Sequence, residues 1–354
     1  FLRQMTNLHT ASQQVFAAMV ESPLLYWLPE PIQTAIITMS TVGDVAHLPQ
    51  GLTTADNLRF LRNFWELMML STDEDGWCQL SKGGGYKAWT GLQQHAVDWR
   101  MQGARIKEHI VRSYPYLNGN FEWVAKNIEF YFANGLTYTS ISGGSLGVRW
   151  MEKSIFSSAS NGIFAKASND QSVYVLAAYL NSPVASYMLR AISQKFGFET
   201  GHLARLPIPD LGRAGPLLEN VARLCFKLSS VTDCTNMVEY RFDKACENQK
   251  EILRNEEPSI VWILLMTAFT NDIVASRLGL SDRDVGSIFA EIGTPSGLYP
   301  VVDGYDRLPE LPDYLQTPQI PQEVVDFVGN LGRVTPNEAE LARIKSNLRF
   351  LYEA

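Results

Sequence analysis

The sequence changes character at Leu206-Pro207-Ile208-Pro209, and this change constrains the fold more than any other feature. From about residue 44 up to this point, short apolar segments alternate with Gly, Asn and Ser, a pattern typical of strands joined by turns. Beyond it, apolar residues recur at helical spacing over long stretches. Two prolines this close together end any regular element. The sequence therefore predicts an α+β protein in which a mixed, β-rich part with inserted helices precedes a mainly helical part.

Hydrophobic periodicity predicts individual elements on both sides of this boundary. The predicted strands are 42–46, 128–132, 136–141, 147–150 and 162–165, and one helix, 172–189, interrupts them. The predicted later helices are 217–228, 237–254, 259–278 and 337–352, with a proline-rich loop at 294–321. Residues 1–20 are predicted to form an amphipathic helix that leads into a proline-punctuated connector.

The length of 354 residues is enough for two or three domains of roughly 100–200 residues each. We expect a helical connector at 1–35, a β-rich domain at 36–213 and a helical domain at 214–354. The chain starts at Phe1 rather than Met and ends within a helical pattern. We therefore interpret it as a piece of a longer protein.

Cysteine usage and charge narrow the functional class. The four cysteines form no Cys-x-x-Cys pair, so we expect reduced thiols in a cytoplasmic protein. The longest apolar run, 260–269, is too short to span a bilayer, and no membrane partner is predicted. The net charge is −7, but 44–213 carry +2 and 214–354 carry −8. Because phosphate binding depends on local Lys and Arg density, only the β-rich part is expected to present a basic face.

Motifs of self-contained enzymes are not found in the sequence. The glycine clusters precede no apolar helix, so no dinucleotide or S-adenosylmethionine fold is predicted from them. The chain has 17 prolines but no Pro-Pro pair, which amino-methylating enzymes use in an Asn/Asp-Pro-Pro-aromatic loop. Its five histidines are scattered without metal-ligand spacing. We predict no catalytic residue, no cofactor site and no metal site on this chain.

Two polar segments of the β-rich part are candidate binding elements. In 51–62, we predict a helix that begins near Leu58, with Thr, Asp and Asn as caps and two arginines on one face. Such a helix start could bind a backbone phosphate, or it could be an ordinary cap with solvated arginines. In 81–91, three glycines lie between lysines and aromatics, which suits a loop that contacts a polyanion or a hairpin with its Trp packed inward. The candidate residues are Thr53, Asn57, Arg59, Arg62, Lys82, Tyr86, Lys87 and Trp89.

Two further segments carry polar side chains on loops. Residues 143–149 place Arg149 at the edge of a glycine-rich turn, and 196–209 place His202 and Arg205 just before the proline stop. Gln93 and Gln94 follow the glycine loop. Arg favours guanine edges, and Gln or Asn favours adenine edges, so these side chains suit base contacts.

Taken in order, these segments resemble the target recognition domain of the adenine-specific DNA methyltransferase of BREX phage-exclusion systems, with fused restriction–modification enzymes and type I specificity subunits as more distant relatives. The resemblance covers about residues 36–213. It rests on the following motifs: Val42-Gly43-Asp44, the 51–62 stretch, Lys82 to Trp89, Asp98-Trp99, Phe130 to Tyr138, Ala178 to Ser182, and Leu206 to Pro209.

The resemblance implies a role in reading duplex DNA. In such enzymes, the recognition domain reads a short asymmetric site while an N-terminal methyltransferase domain flips the adenine out and methylates it from S-adenosylmethionine. By analogy, Arg59, Arg62, Lys82 and Lys87 would contact phosphates, whereas Gln93, Gln94, Arg149 and His202 would read base edges. The connector at 1–35 would lead from the methyltransferase domain, which lies outside this sequence. Implied partners are double-stranded DNA, other phage-defence subunits and a phage protein that mimics DNA.

Two alternatives stay open at this stage. The aromatic loops and acidic helices could form a non-catalytic module that binds protein partners in a defence complex. An independent enzyme would need a concave cluster of perturbed titratable groups, and the sequence indicates none.

Overall fold

The computed structural model describes residues 25–67, 74–142, 144–166, 172–193, 197–241, 249–295, 320–331 and 338, with the backbone alone for Thr235 and for 249–258. The fold is α+β, as the sequence predicts. The strands are β1 (Ala46–His47), β2 (Leu61–Asn63), β3 (Trp77–Ser81), β4 (His95–Asp98), β5 (Gly135–Thr139), β6 (Val148–Met151), β7 (Ile155–Phe156) and β8 (Ser160–Ala165).

The helices of the described residues lie mainly in the second half of the chain. They are α1 (Glu30–Thr38), α2 (Val42–Val45), α3 (Asn57–Phe60), α4 (Arg100–Ser113), α5 (Val173–Leu180), α6 (Pro183–Ser193), α7 (Thr200–Ala204), α8 (Gly215–Thr235), α9 (Gln249–Arg277), α10 (Asp282–Ile292) and α11 (Gln322–Asn330).

The strands form two four-stranded sheets, and the chain passes between them four times. The first sheet has the order β1-β8-β5-β6 and is antiparallel throughout. The second has the order β2-β4-β3-β7, in which β7 pairs in parallel with β3. Since β7 belongs to one sheet and β8 to the other, the short turn between them, residues 157–159, lies where the sheets meet. That position matters for the candidate site.

Each sheet has its own hydrophobic core. The first core packs the β1-β8-β5-β6 sheet against helices α5, α6, α8 and α9, with Tyr138, Tyr179 and Leu265 among its buried side chains. The second packs the other sheet against α4, around Phe60, Ile106 and Phe156. The helices after residue 214 therefore share a core with the first sheet. The predicted boundary at 213/214 separates sequence patterns rather than independent cores.

Several predicted elements are correct, including the strands 136–141, 147–150 and 162–165, which correspond to β5, β6 and β8. The segment 42–46 is instead mostly a helical turn, because the Asp44 carboxylate accepts bonds from both the backbone and the hydroxyl of Thr41 and so caps it. The segment 128–132 begins with a 3₁₀ turn, preceded by Asn127 in the left-handed region. Helix α4, not predicted, covers the second core.

The predicted helix 172–189 is two helices, because Pro183 has no N–H to continue the first helix and instead begins the second. The side chain of Asn181, at the break, pairs with the edge of β6. Its amide oxygen accepts the Val148 N–H at 2.8 Å, and its NH₂ group donates to the Val148 carbonyl at 3.0 Å. The predicted helix 237–254 is also wrong in its first part, since turns occupy 237–241 and helix α9 is described from Gln249. The predicted helices 1–20 and 337–352 and most of the loop 294–321 lie outside the described residues.

Helix α9 contains the apolar run 260–269, and the apolar part of this helix extends beyond these ten residues. Among the described residues, Ser259–Arg277 is one helical stretch whose length and mean hydropathy of 1.5 would suffice to cross a membrane. Of this stretch, 61% is buried inside the fold, where Trp262, Leu265 and Met266 belong to the first core. Core helices of water-exposed proteins pass the same test of length and composition.

Candidate nucleic-acid interface

The turn 157–159 between β7 and β8 gathers loops from three other parts of the chain. The Thr53 hydroxyl lies 3.0 Å from the Ser158 hydroxyl, and the Ser157 hydroxyl donates to the Lys82 carbonyl at 3.1 Å. Ser140 is held by bonds from its N–H to the Ala159 carbonyl and from its hydroxyl to the Ser158 carbonyl. We call the surface formed by Thr53, the loop 82–86, Ser140, Ile141 and Ser158 the serine-turn face.

The glycine loop 82–86 is the most exposed part of the serine-turn face. Gly83 has a φ of +77°, and a Cβ there would lie 2.6 Å from the Ala159 carbonyl oxygen, so glycine is required where the loop crosses the turn. Gly84 and Gly85 also have positive φ but face open space. The Tyr86 side chain is 59% exposed. The loop thus presents backbone amides, an aromatic ring and the adjacent, partly exposed Lys82 to solvent.

The chemistry of this face suits a polyanion rather than a small apolar ligand. Hydroxyls, backbone N–H groups and lysines are the usual partners of phosphate oxygens on nucleic acids. Exposed aromatic rings add stacking with bases. Among the described residues, no group of three or more His, Cys, Asp or Glu side chains could hold a metal ion.

A line of charged side chains leads from the glycine loop across the end of the second sheet. Lys82 and Glu66 both act electrostatically on His95, whose pKa is lowered by burial and by Lys82, while Glu66 opposes that shift. Glu66 in turn lies 4.0 Å from Arg62. In the strand register, Arg62 and Gln79 both pair with Ala96, so they lie two strands apart. Lys82 follows Gln79 by three residues. At strand spacings of about 4.8 Å and 3.3 Å per residue, the Cα atoms of Arg62 and Lys82 are roughly 14 Å apart.

Arg62 is only partly available to a ligand. Its guanidinium donates to the carbonyls of Leu58 and Leu61, while the side chain remains 40% exposed and lies over the Trp77 ring at 5.6 Å. Arg100 approaches the same ring at 5.9 Å. Two arginines over one tryptophan form a partly exposed cationic cluster, which the sequence did not indicate because α4 was not predicted.

The buried Asp98 carboxylate holds this part of the sheet to α4. Arg100 donates two bonds of 2.7 Å to it, and Arg105 donates a third of the same length. Hydrogen bonding by Arg100 lowers the pKa of Asp98 below its ordinary value. The arginine side chains are about half exposed, so water screens part of the attraction.

Replacing Asp98 by asparagine is expected to lower the free energy of unfolding near neutral pH by about 1–2 kcal/mol, because the buried group loses its charge-assisted bonds. The lowered pKa means that this stability is present above the ordinary carboxylate pKa and is lost as the pH falls through the folded-state value. Urea unfolding near pH 7 and near about pH 3 measures both effects. The difference between wild type and Asp98→Asn should shrink at the lower pH; a pH-independent difference would contradict this assignment.

Four predicted contact residues are buried in the structure, and these predictions are corrected. Arg149 is 1% exposed and donates to the carbonyls of Lys87 and Gly147 and to the Ser160 hydroxyl. Burial lowers the pKa of Arg149 to about 10, an effect that Glu239 opposes. Trp89 packs inward against Phe226, as in the hairpin alternative. Gln93 and His202 are buried as well. Buried side chains are unavailable to phosphates or base edges.

Lys87 is half-buried and is paired with two carboxylates of the C-terminal helical region. It forms an ion pair with Asp233 and lies 3.6 Å from Glu239. Burial raises the pKa of Asp233, and the charge of Lys87 partly counteracts this shift. The predicted phosphate contact at Lys87 is therefore wrong for this conformation, because its charge is already neutralised within the fold.

The remaining predicted residues are exposed or half-buried and lie outside the serine-turn face. Asn57 and Arg59 are exposed on α3, which is a single turn rather than the longer helix predicted, and the Asp56 carboxylate caps it. Gln94 is half-buried, and its carbonyl accepts the Phe64 N–H. Arg205 is half-buried at the end of α7, where its Nε donates to the Gly201 carbonyl.

Sequence reasoning missed residues that the fold brings to the serine-turn face or next to it. Ser140 and Ser158 were not singled out, since isolated serines in turns carry no motif. Trp123 is 68% exposed in a polar hollow of about 430 Å³ that also includes Lys126. The backbone joins this hollow to Thr53, whose N–H donates to the Val124 carbonyl at 3.2 Å. Only the folded structure places these residues near the turn 157–159.

The fold and this face define an α+β protein with a polar, loop-built surface between two sheets. No protein-family model matches the chain. Over 298 residues, 82% of its length, the chain is 22% identical to the adenine-specific methyltransferase BrxX of Escherichia coli O9:H4 (strain HS), of which it covers 23%. Over 217 residues, 56% of its length, it is 24% identical to the adenine-specific methyltransferase PglX of Lacticaseibacillus casei (strain Zhang), of which it covers 17%.

The chain therefore spans less than a quarter of the length of each of these relatives. The similarity supports a relationship to the BREX adenine-specific methyltransferases, the family that the motifs predict. The assignment of this chain to the DNA-reading part of such an enzyme remains a prediction.

Proposed function

We propose that this chain is the DNA target-recognition region of a site-specific adenine-N6 DNA methyltransferase of a BREX phage-defence system. The observation that carries the proposal is the serine-turn face, where hydroxyls, open glycine amides, an exposed tyrosine and Lys82 converge between two sheets. The similarity to two adenine-specific methyltransferases supports the same enzyme class.

The division of labour follows from the residue types on this chain. The exposed Arg59 and the partly exposed Arg62 and Lys82 neutralise phosphates, and the hydroxyls of Thr53 and Ser158 bond to phosphate oxygens and fix the register. Asn57, Gln94 and Tyr86 are the predicted residues still placed to approach bases. Transfer of the methyl group from S-adenosylmethionine belongs to another part of the longer cytoplasmic enzyme.

Salt dependence of DNA binding tests the proposal directly. With three or four phosphate contacts, the affinity for a labelled random-sequence duplex should fall roughly 50- to 150-fold between about 50 and 200 mM salt. Fluorescence anisotropy with the whole chain measures it. Lys87 and Arg149 do not contribute to this face. A salt slope that corresponds to six or more phosphate contacts would therefore indicate that a different surface binds the DNA. Binding that is absent or indifferent to salt would contradict the proposal.

A second function is favoured by a separate observation. Tyr116 and Trp123 are exposed on the loops after α4, beside the acidic Glu122 and Glu129. This surface suits a protein partner, such as another defence subunit, better than it suits DNA, because its carboxylates repel phosphate. Reversing the charges of Arg62 and Lys82 tests this alternative. If the chain then binds other defence subunits with unchanged affinity, and if the wild type binds no DNA, the chain is an interaction module. A phage protein that mimics DNA would compete only at the basic face.

A further inference from the structure

The segment 87–93, which follows the glycine loop, has a conformation that its own sequence does not favour. Trp89 and Leu92 lie in the left-handed region, with φ of 72° and 59°, and Gly91 between them has a φ of +97°. Residues other than glycine rarely adopt this region, and those that do are held there by surrounding structure. Something outside the segment must therefore determine its path.

The C-terminal helical region provides that support. Glu239 accepts the Leu92 N–H at 2.8 Å on one carboxylate oxygen and the Gln93 N–H at 2.9 Å on the other. Asp233, near the end of α8, pairs with Lys87. One turn earlier on α8, the Ser229 hydroxyl lies 2.7 Å from the Thr90 hydroxyl. These contacts join positions about 140 residues apart in sequence and lie in the interior.

The geometry points to Asp233 and Glu239 as positioning residues that hold the glycine loop 82–86 in its DNA-binding conformation, an inference that rests on the proposed function. Neither carboxylate can reach DNA itself, since Asp233 is 1% and Glu239 is 2% exposed. They act through Lys87, which follows Tyr86 directly, and through the backbone at 92–93, which lies five residues further along the chain. The acidic helical region thus contributes to recognition by ordering a loop of the β-rich part.

The direction of the effect separates positioning from simple electrostatics. Removing a negative charge lessens the repulsion of DNA, so a purely electrostatic role predicts tighter binding for Glu239→Gln. A positioning role predicts weaker binding, because glutamine offers one carbonyl oxygen where the carboxylate offers two acceptors, and Lys87 loses a counter-charge. The two explanations therefore predict changes of opposite sign.

The experiment compares Glu239→Gln with Glu219→Gln in the whole chain. Glu219 is a partly exposed residue of α8 that pairs with Arg223 four residues later, whereas the contacts of α8 with 87–93 come from Ser229 and Asp233 further along the helix, so this control removes the same charge away from the loop. Affinity for the labelled random-sequence duplex and its salt slope are measured at a temperature where circular dichroism shows both variants folded. We expect Glu239→Gln to bind about tenfold more weakly, with a salt slope reduced by about one contact. Partial unfolding alone would leave the slope of the folded fraction unchanged.

Amide hydrogen exchange gives a second measurement that needs no DNA. In Glu239→Gln, exchange at the hydrogen-bonded amides of Trp89, Thr90, Leu92 and Gln93 should accelerate by about tenfold or more, while strand β5 stays protected. If Glu239→Gln does not fold, Ser229→Ala replaces it, since it removes one neutral contact with Thr90 and should accelerate the same amides to a smaller extent.

The outcomes distinguish the positioning role from the proposed function. Unchanged exchange at 89–93, or DNA binding as tight as in the wild type or tighter, would overturn the positioning role. Faster exchange in a chain whose wild-type form binds no DNA would leave the loop-ordering contacts established and the proposed function rejected. Faster exchange together with weaker DNA binding and a smaller slope would support both.

Discussion

Reversing two charges on the candidate interface, with Arg62→Glu and Lys82→Glu combined, is expected to weaken binding to duplex DNA by about 100-fold or more at low salt. Each reversal removes one phosphate contact and adds a repulsive charge, and each lost contact lowers the salt slope by about one. Because phosphate contacts carry no sequence information, the loss should be similar across DNA sequences. Anisotropy titrations with several duplexes at a series of salt concentrations measure both effects.

The matched control for this prediction is Lys153→Glu. Lys153 is exposed, lies two residues before β7 and is not one of the residues of the serine-turn face, so the same change in charge per residue is made outside that face. It should alter the affinity by less than about threefold. Equal losses in the control and in either single reversal would show that net charge, rather than this face, governs binding. That result would contradict the proposed interface.

The fold class and the principal strands were predictable because they depend on local pattern. Apolar and polar residues alternate in β5, and β6 and β8 contain short apolar segments near Gly, Asn or Ser, so these signals are visible without any tertiary information. Helix α4 was missed because most of its side chains are polar or charged and its left-handed entry at Met101 to Gly103 interrupts the pattern. The break in the predicted helix 172–189 follows from Pro183, a local signal. The contact of the Asn181 side chain with β6, across more than 30 residues, was not predictable from local pattern.

The candidate site was predictable only in part, for a physical reason. Sequence shows which residues have the right chemistry, and Lys82, Thr53 and Tyr86 do reach solvent at one place. It does not show which charges are already paired inside the protein. Lys87 and Arg149 have the same chemistry as Lys82 and Arg62, yet Lys87 is paired with Asp233 and Glu239, and the buried Arg149 donates to two carbonyls and the Ser160 hydroxyl. Such pairing is a property of tertiary packing.

Replacing Gly51 by alanine is expected to cost about 3 kcal/mol or more of unfolding free energy, the largest effect of any single substitution considered. A Cβ at this position would lie 2.1 Å from the carbonyl oxygen of Phe156 and 2.5 Å from its carbonyl carbon. Phe156 is fully buried and paired with Ser81 in the second sheet, so its backbone cannot move away without breaking the sheet. Insertion of atoms into a well-packed interior typically costs about 1–3 kcal/mol, and contact with fixed backbone places this case at the upper end or beyond.

The control is Gly201→Ala on α7, where a Cβ meets no atom within 4 Å and the backbone needs no glycine, so its stability should stay the same or rise by up to about 1 kcal/mol. Urea unfolding followed by circular dichroism compares the two variants. Since Phe156 leads directly into the turn 157–159, whatever remains folded of Gly51→Ala should also bind duplex DNA more weakly, because the turn can no longer hold Thr53 and Lys82 together. A Gly51→Ala variant with the stability and DNA affinity of the wild type would mean that Gly51 and β7 do not approach as described, and the serine-turn face would lose its structural basis.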